Sequence, residues 1–331
     1  VRVDERGLIR GELGAQLDRQ LQAWADSGFS GTVLLVKNGE VVLERGYGLA
    51  DRGRDVAATA ETRYSLAGFT KSVTAAAIGQ LALEGKLSLD DPISRYVPEI
   101  TGIKGTATID HLLTYRDGMA KLAAPIFRPS ERDFVAALND TPMDFAPGTG
   151  FRYNDFGHSL LGIVIERVTG RRYEDYVRSR FFELLGLELG FEPDGGAMAV
   201  EYQGEPGEEA PIGRRAWHWG RRASLGMVGT AREAHRWLEA LEQGTAISPA
   251  LRELLMARRS PTDYGAVQTY GWEMNGSVGR EPVLRRVAGT PGFEGEILRD
   301  DADGWSAVIL VNSRLGWRFR IWRLIDRLAA G

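Results

Sequence analysis

YSLAGFTKSVTAAAIGQLALEGK, residues 64–86, is the most informative stretch of the chain. Its first four residues predict the end of a strand, and the apolar residues that follow Phe69 at helical spacing predict a buried helix. Lys71 falls in the first turn of this helix, where the positive end of the helix dipole disfavours a cation. Lys71 is therefore either a solvated side chain or a residue with a specific role.

The composition is typical of a globular protein and excludes several kinds of site. The chain has 331 residues, 43% of them hydrophobic and 26% charged, and its net charge of −4 gives no sign of a nucleic-acid partner. Without cysteine it has no disulfide, cysteine nucleophile or thiolate metal site, and its four histidines lack a metal-binding spacing. We expect neither a metal nor a cofactor. The pairs Arg221-Arg222 and Arg285-Arg286 predict a solvated or salt-bridged surface.

No run approaches the roughly 18 consecutive apolar residues that a membrane-spanning helix needs. The chain begins at Val1, with neither a methionine nor an apolar leader. We therefore expect a soluble protein, either cytoplasmic or a secreted mature form. The sequence leaves the oligomeric state open.

The order of patterns along the chain predicts an α+β fold. A helix over 13–24 precedes a hairpin that turns at Asn38-Gly39, the middle of the chain is helical, and the last third indicates an antiparallel meander and a terminal helix. We expect an antiparallel β-sheet flanked by N- and C-terminal helices, with an inserted helical lobe. The sheet domain would comprise 1–70 and 262–331 and the lobe 71–261, with the active site between them. The predicted strands cover 32–36, 41–44, 270–274, 283–287, 294–299 and 306–311.

The run LAGFTKSVTAAAIGQLALEGKLSLDDPISRYVPEI, residues 66–100, carries a family resemblance. It resembles the Ser-x-x-Lys region of the serine β-lactamase, penicillin-binding protein and family VIII esterase superfamily. It is most similar to the class C β-lactamase and D-alanyl-D-alanine carboxypeptidase-like branch. The resemblance extends over roughly 17–328 and implies the same division into a sheet domain and a helical lobe.

Three further segments carry the same resemblance. FRYNDFGHSLLG, 151–162, is similar to the family's Tyr-x-Asn loop and makes Tyr153 the motif tyrosine. AGTPGF, 288–293, resembles the third motif, with Val287 at the position of the family's basic residue. ASLGMVGTA, 223–231, is similar to a Gly-rich segment that leads into a helix. Trp217 and Trp219 lie just before it and are predicted to form a pocket wall.

The family's nucleophilic serine would lie three residues before Lys71, where this chain has Gly68. The resemblance makes Lys71 the base partner and Tyr153 the proton shuttle, and it forms the oxyanion hole from the backbone N–H groups of Gly68 and Thr290. Val287 and Gly289 would lie on the strand that borders the substrate-binding site.

Asp155 is a second departure from the family pattern. A carboxylate beside Lys71 favours the protonated lysine, which is then a weaker base and a better electrostatic anchor. Asp155 and Val287 would also remove positive potential where β-lactamases hold the substrate carboxylate. This ranks neutral ester, amide or peptide-like small molecules above β-lactams as ligands.

Four functions remain open from the sequence. The chain is a serine hydrolase or acyltransferase in which glycine was introduced at position 68, or it is a natural enzyme that uses Lys71, Tyr153 and Asp155 for cyclisation, elimination or isomerisation. A third alternative is a catalytically silent ligand-binding protein. The fourth is a direct hydrolase in which Lys71 or Tyr153 activates water.

Overall fold

A computed structural model describes residues 1–121, 127–192, 198–204, 210–211, 218–244, 246–257, 259–276, 283–313 and 315–329. The α-helices are α1 (Gly11–Ala25), α2 (Thr70–Leu83), α3 (Ile109–Leu113), α4 (Glu131–Asp140), α5 (Phe156–Thr169), α6 (Tyr173–Val177), α7 (Glu183–Leu185), α8 (Arg222–Leu225), α9 (Ala231–Gln243), α10 (Pro249–Met256) and α11 (Trp317–Ala329). The short 3-10 helices are Ala67–Phe69, Ile93–Arg95, Gly102–Thr106 and Trp219–Arg221, and Arg178–Phe182 forms a π-helical turn.

The strands predicted over 32–36, 41–44, 283–287, 294–299 and 306–311 are present, whereas the one predicted over 270–274 begins only at Glu273. They are β1 (Arg2–Asp4), β2 (Gly7–Ile9), β3 (Gly31–Lys37), β4 (Glu40–Tyr47), β5 (Leu49–Asp51), β6 (Val56–Ala57), β7 (Tyr64–Ser65), β8 (Gly190–Phe191), β9 (Tyr202–Gln203), β10 (Ala210–Pro211), β11 (Met227–Gly229), β12 (Ser260–Pro261), β13 (Val267–Gln268), β14 (Glu273–Asn275), β15 (Val283–Gly289), β16 (Glu294–Asp300) and β17 (Trp305–Val311).

The main sheet is antiparallel and has ten strands in the order β1-β2-β4-β3-β17-β16-β15-β14-β13-β12. The hairpin turn at Asn38-Gly39 has positive φ at both residues (50° and 79°), the twist that a two-residue hairpin needs. The predicted α+β fold with a large antiparallel sheet is confirmed. The division into a sheet domain and a helical lobe stays a prediction.

Alternation along the strands gives the sheet an apolar face on each side. On β3, Val33 and Leu35 join the core formed with α1 and α11, whereas Leu34 and Val36 join the core that contains α2 and α5. The two chain-terminal helices thus cover one face of the sheet.

Helix α2 lies deep in the second core. Every residue from 70 to 81 is buried, because the run is apolar or small on all sides. Gly79 permits the close approach of α10, since a Cβ there would lie 2.8 Å from Leu251 Cδ1. Lys71, the second residue of α2, is carried into the interior with it.

Two helical segments differ from their sequence patterns. The pattern from Thr108 to Asp117 predicts one helix, but α3 ends at Leu113, and Tyr115 beyond it has a φ of 58° that a right-handed helix does not allow. The helix that the pattern predicts over 173–184 is present as α6 and α7, which the π-helical turn Arg178–Phe182 joins. The Gly-, Pro- and Glu-rich composition of 192–213 predicts a surface loop, but its described part contains β9 and β10, and Tyr202 there is buried.

Candidate active site

A cavity of 480 Å³ lies beside the free edge of β15. Strand β14 pairs with β15 only from Val283 to Arg285, so the later residues of β15 face the 3-10 turn Ala67–Phe69 instead. The cavity is lined by Gly68, Lys121, Phe127, Tyr153, Asp155, Arg221, Leu225, Tyr264, Glu273, Arg285, Arg286, Val287, Gly289, Thr290, Pro291 and Arg318.

The structure brings Lys71, Tyr153 and Asp155 together in one hydrogen-bonded group. Lys71 Nζ donates to Asp155 Oδ1 at 2.7 Å, to the Tyr153 hydroxyl at 3.1 Å and to the Ser224 carbonyl at 3.3 Å. An ammonium has three N–H donors, so this lysine has an acceptor for each of them. The arrangement is a buried ion pair beside a phenol.

The charges of this group are set by burial and by the lysine. Burial opposes ionisation of Asp155, but the Lys71 charge and hydrogen bond outweigh it and hold the pKa of this carboxyl below its usual value. Burial and the Asp155 charge raise the pKa of Tyr153 above its usual value. At neutral pH Asp155 is therefore a carboxylate and Tyr153 a neutral phenol.

Asp117 fixes the loop that carries Tyr153 through hydrogen bonds with Asn154. Asn154 Nδ2 donates to both carboxyl oxygens of Asp117 at 3.0 Å, and its Oδ1 accepts from the Gly157 N–H at 3.1 Å. Asp117 is fully buried, and burial raises its pKa to about 6. The hydroxyl of Tyr153 is thus positioned through its neighbour in sequence.

Position 68 is closed against side chains. A Cβ built on Gly68 would lie 2.7 Å from the Val287 carbonyl oxygen, closer than real Cβ atoms come to such a neighbour. The next atoms are Arg286 Nη2 at 3.6 Å and Lys71 Nζ at 3.7 Å. Because the first contact is with backbone, a side chain fits at position 68 only if β15 shifts.

The cation that reaches Gly68 from β15 was not predicted. Arg286 is 1% exposed; its Nε donates to the Gly68 carbonyl at 2.9 Å, and both Nη atoms lie 3.2 Å from the Tyr115 hydroxyl. The sequence predicts Val287 at the basic position and a loss of positive potential there, and a surface role for Arg285-Arg286. Arg285, which pairs with Glu296, fits the salt-bridged surface predicted for the two arginines. The buried Arg286 does not, and it places a cation beside Gly68, where the sequence predicts a loss of positive potential. Val287 still lines the cavity.

The backbone N–H that faces the cavity at the end of β15 belongs to Gly289 and not to Thr290, the predicted oxyanion donor. The Thr290 N–H donates to the Phe293 carbonyl at 2.9 Å and is not directed at Gly68. In an antiparallel pair the N–H groups alternate between the two edges of a strand. The N–H of Gly289, next to Thr290, therefore lies on the edge that faces the cavity.

Of the two predicted wall tryptophans, Trp219 is among the described residues and does not line the cavity. The Trp219 ring packs 5.4 Å from Phe134, with the Arg222 guanidinium 5.3 Å from its centre, and Trp219 is absent from the lining among the described residues. Trp217 lies outside the described residues.

Tyr115 and Arg286 are the site residues that the sequence did not reveal. Tyr115 packs 4.8 Å from the Tyr153 ring and accepts from Arg286. Its sequence signal is the replacement of the family's usual His-Thr pair by Tyr115-Arg116. The signal for Arg286 is a paired arginine on a strand, since alternation turns one member of such a pair inward.

Among the described residues, no group of three or more histidine or acidic side chains is placed to hold a metal ion. Within the same ranges, no helix has the length and apolar character needed to cross a membrane.

The fold and site define a class of protein that comparison with known sequences identifies. Residues 17–330 match the Beta-lactamase family, and the chain belongs to it. Protein flp of Staphylococcus aureus (strain MW2) is 32% identical over 166 residues, which cover 47% of this chain and 33% of that protein. The chain thus spans about a third of the length of this curated relative.

Solved structures show the same fold at low identity. A penicillin-binding protein from Bacillus halodurans aligns with a TM-score of 0.83 and 23% identity, covering 97% of this chain and 100% of that one. A class C beta-lactamase mutant aligns with a TM-score of 0.81 and 18% identity, covering 96% and 97%. The predicted superfamily is confirmed by the family match over residues 17–330, and these structures show that its fold is kept.

Proposed function

We propose that this chain binds a small carboxylate-bearing molecule in the cavity and forms no acyl-enzyme at position 68. The observation that carries the proposal is the closure of that position, where an added Cβ would lie 2.7 Å from a backbone oxygen of β15. A nucleophilic side chain has no room there in the present arrangement of strand and turn.

The protonation of the site supports binding rather than acid–base turnover. A general base at neutral pH needs a pKa near the operating pH. Lys71 Nζ donates to Asp155 Oδ1 at 2.7 Å, the pKa of Asp155 is lowered, and the pKa of Tyr153 is raised. Neither Asp155 nor Tyr153 is poised to take up a proton and release it again near neutral pH, which disfavours cyclisation, elimination, isomerisation and water activation by these two residues.

The charge of the cavity supports an anionic ligand. Five cations line the cavity among the described residues, and two of them, Arg285 and Arg318, contact the buried Glu296 at 3.0 and 2.7 Å. Arg286 and Lys121 have no carboxylate oxygen within 4.0 Å among the described residues. Three of the five Arg286 N–H groups are used by Gly68 and Tyr115, so donors remain for a ligand. A carboxylate thus suits this cavity better than the neutral ester expected from the sequence.

The second candidate is a serine hydrolase or acyltransferase that lacks only its nucleophile because glycine was introduced at position 68. The contact between Lys71 and Tyr153, kept at 3.1 Å, favours it, as does family membership. The N–H of Gly289 on the cavity edge is the matching oxyanion donor. This candidate requires that β15 yields when a serine is restored.

Acylation separates the two candidates. The native chain and Gly68→Ser are incubated with p-nitrophenyl butyrate, and intact mass and p-nitrophenol release are followed. We expect no added mass in either protein, because the serine side chain meets the Val287 carbonyl. Acylation and turnover in Gly68→Ser alone would establish the second candidate instead.

Binding is tested directly with hexanoate and its neutral amide by calorimetry. We expect the native chain to bind hexanoate and not hexanamide, and Arg286→Gln to lose at least about tenfold in affinity, as removal of a charged hydrogen-bond donor does. Lys121→Gln, an exposed change, keeps the proposal testable if Arg286→Gln does not fold. Equal binding of acid and amide would refute the carboxylate site.

A further inference from the structure

Arg221 is a buried cation, and two of its donor atoms have no acceptor among the described residues. It is 2% exposed and lines the cavity, in the 3-10 turn that precedes α8. Its Nε and Nη2 have no hydrogen-bond partner within the described part of the chain. The nearest carboxylate is Glu192, whose Oε2 lies 3.7 Å from Nη1. Buried donors in native proteins are nearly always satisfied, so this pair needs an explanation.

The neighbouring Arg222 shows which acceptor such a pair of donors binds. The Nε of Arg222 donates to Glu174 Oε1 at 2.7 Å and its Nη2 to Glu174 Oε2 at 2.5 Å. These two N–H groups are parallel and match the two oxygens of one carboxylate. Arg221 presents the same pair beside the cavity without a protein carboxylate in it.

We propose that the cavity takes a ligand with two carboxylates, the second of which is held by Nε and Nη2 of Arg221. This inference rests on the proposed function, in which the first carboxylate lies near Arg286 and Lys121. Arg221 belongs to the turn before α8 and Arg286 to β15, so the two carboxylates are bound by different elements of the cavity wall. The chemical class is a small dicarboxylic acid or an acidic dipeptide.

Both donor atoms are shielded from solvent. Water at the surface therefore does not replace the missing acceptor, and a carboxylate must draw the guanidinium toward the cavity. Buried donors without acceptors also weaken the fold. The ligand would then stabilise the protein as well as occupy it.

The test compares linear dicarboxylates of four to eight carbons with their monoamides by calorimetry. Native chain, Arg221→Gln and Arg132→Gln are titrated; Arg132 is 90% exposed and gives the same charge change outside the cavity. We expect one dicarboxylate to bind native chain and Arg132→Gln at least about tenfold more tightly than its monoamide, and this ratio to fall to about one in Arg221→Gln.

Each of the other outcomes contradicts the second anchor, the role of Arg221 or the carboxylate site as a whole. Equal binding of a dicarboxylate and its monoamide by native chain removes the second anchor and leaves the proposed function intact. A ratio that persists in Arg221→Gln removes Arg221 as that anchor. No binding of any of the acids refutes the proposed function and this inference together.

A stability measurement covers the case in which Arg221→Gln folds poorly. Arg221→Met keeps the length of the side chain and removes the unsatisfied donors. We expect its melting temperature without ligand to stay close to that of the native chain, because, among the described residues, Nε and Nη2 make no bond and the change removes only the 3.7 Å contact of Nη1 with Glu192. A clear fall in melting temperature would mean that Arg221 is a structural residue.

Discussion

Arg286 and Tyr115 form a pair in which each residue accounts for the other. A guanidinium that is 1% exposed needs acceptors, and the Tyr115 hydroxyl lies 3.2 Å from both of its Nη atoms. The φ of 58° at Tyr115 is unusual for a bulky residue and costs free energy. The backbone of Tyr115 has this strained conformation where its hydroxyl contacts Arg286.

Removal of this hydroxyl should weaken the fold measurably. We expect Tyr115→Phe to lower the free energy of unfolding by about 1–3 kcal/mol, because a buried charged donor loses its acceptor. Tyr176→Phe is the matched control, since the Tyr176 hydroxyl is buried without a partner among the described residues, and it should change stability by less than about 0.5 kcal/mol. Denaturant unfolding measures both, and equal losses would contradict the role given to Tyr115.

At the scale of the element, the turn before α5 is controlled by a carboxyl that titrates near neutrality. Asp117 binds Asn154 at 3.0 Å, and Asn154 lies between Tyr153 and Asp155. The pKa of Asp117 is raised from 3.8 to about 6 by burial. The folded state therefore binds this proton more tightly than the unfolded chain does.

The sign of the resulting pH dependence is fixed. The stability contributed by Asp117 is present below its unfolded pKa and is lost as pH rises through about 6. The free energy of unfolding of native chain minus that of Asp117→Asn should therefore increase by about 1 kcal/mol between pH 7 and pH 5. Asp263→Asn, an exposed control, should show a constant difference. A difference that falls toward pH 5 would mean that Asp117 is ionised by preference in the fold.

The elements were more predictable than the contacts between them. The Asn38-Gly39 hairpin, α1 and α11 follow from local spacing and turn residues, which act over a few positions. The face of β15 that meets Gly68 depends on pairing with β16, so the sequence did not distinguish Val287 from Arg286 as the inward residue. The contact of Lys71 with Asp155 was expected only from the family resemblance, because the two residues are far apart in sequence.

For the whole molecule, one sheet is shared by two cores. Leu34 and Leu35 are neighbours on β3, both fully buried, and belong to opposite cores. The same strands β16 and β17 contribute residues to both, which couples the two cores through the sheet.

Substitutions on the two faces should therefore have the same consequence. We expect Leu34→Ala and Leu35→Ala each to lower the free energy of unfolding by about 2–5 kcal/mol. In both variants the far-UV and near-UV circular dichroism transitions should coincide, as for a single cooperative unit. Two separate transitions in either variant would favour an independently stable helical lobe, as in the predicted domain division.

The pairing of β3 with β17 over its whole length has a consequence during protein synthesis. Strand β3 emerges from the ribosome early, yet its partner is added only near the end of the chain, roughly 15–50 s later at a typical rate of elongation. Until then the hairpin of β3 and β4 has an open edge that other nascent chains can pair with. Gly68 likewise waits for Arg286, so a cell that produces this protein must protect an incomplete sheet from aggregation before any cavity exists.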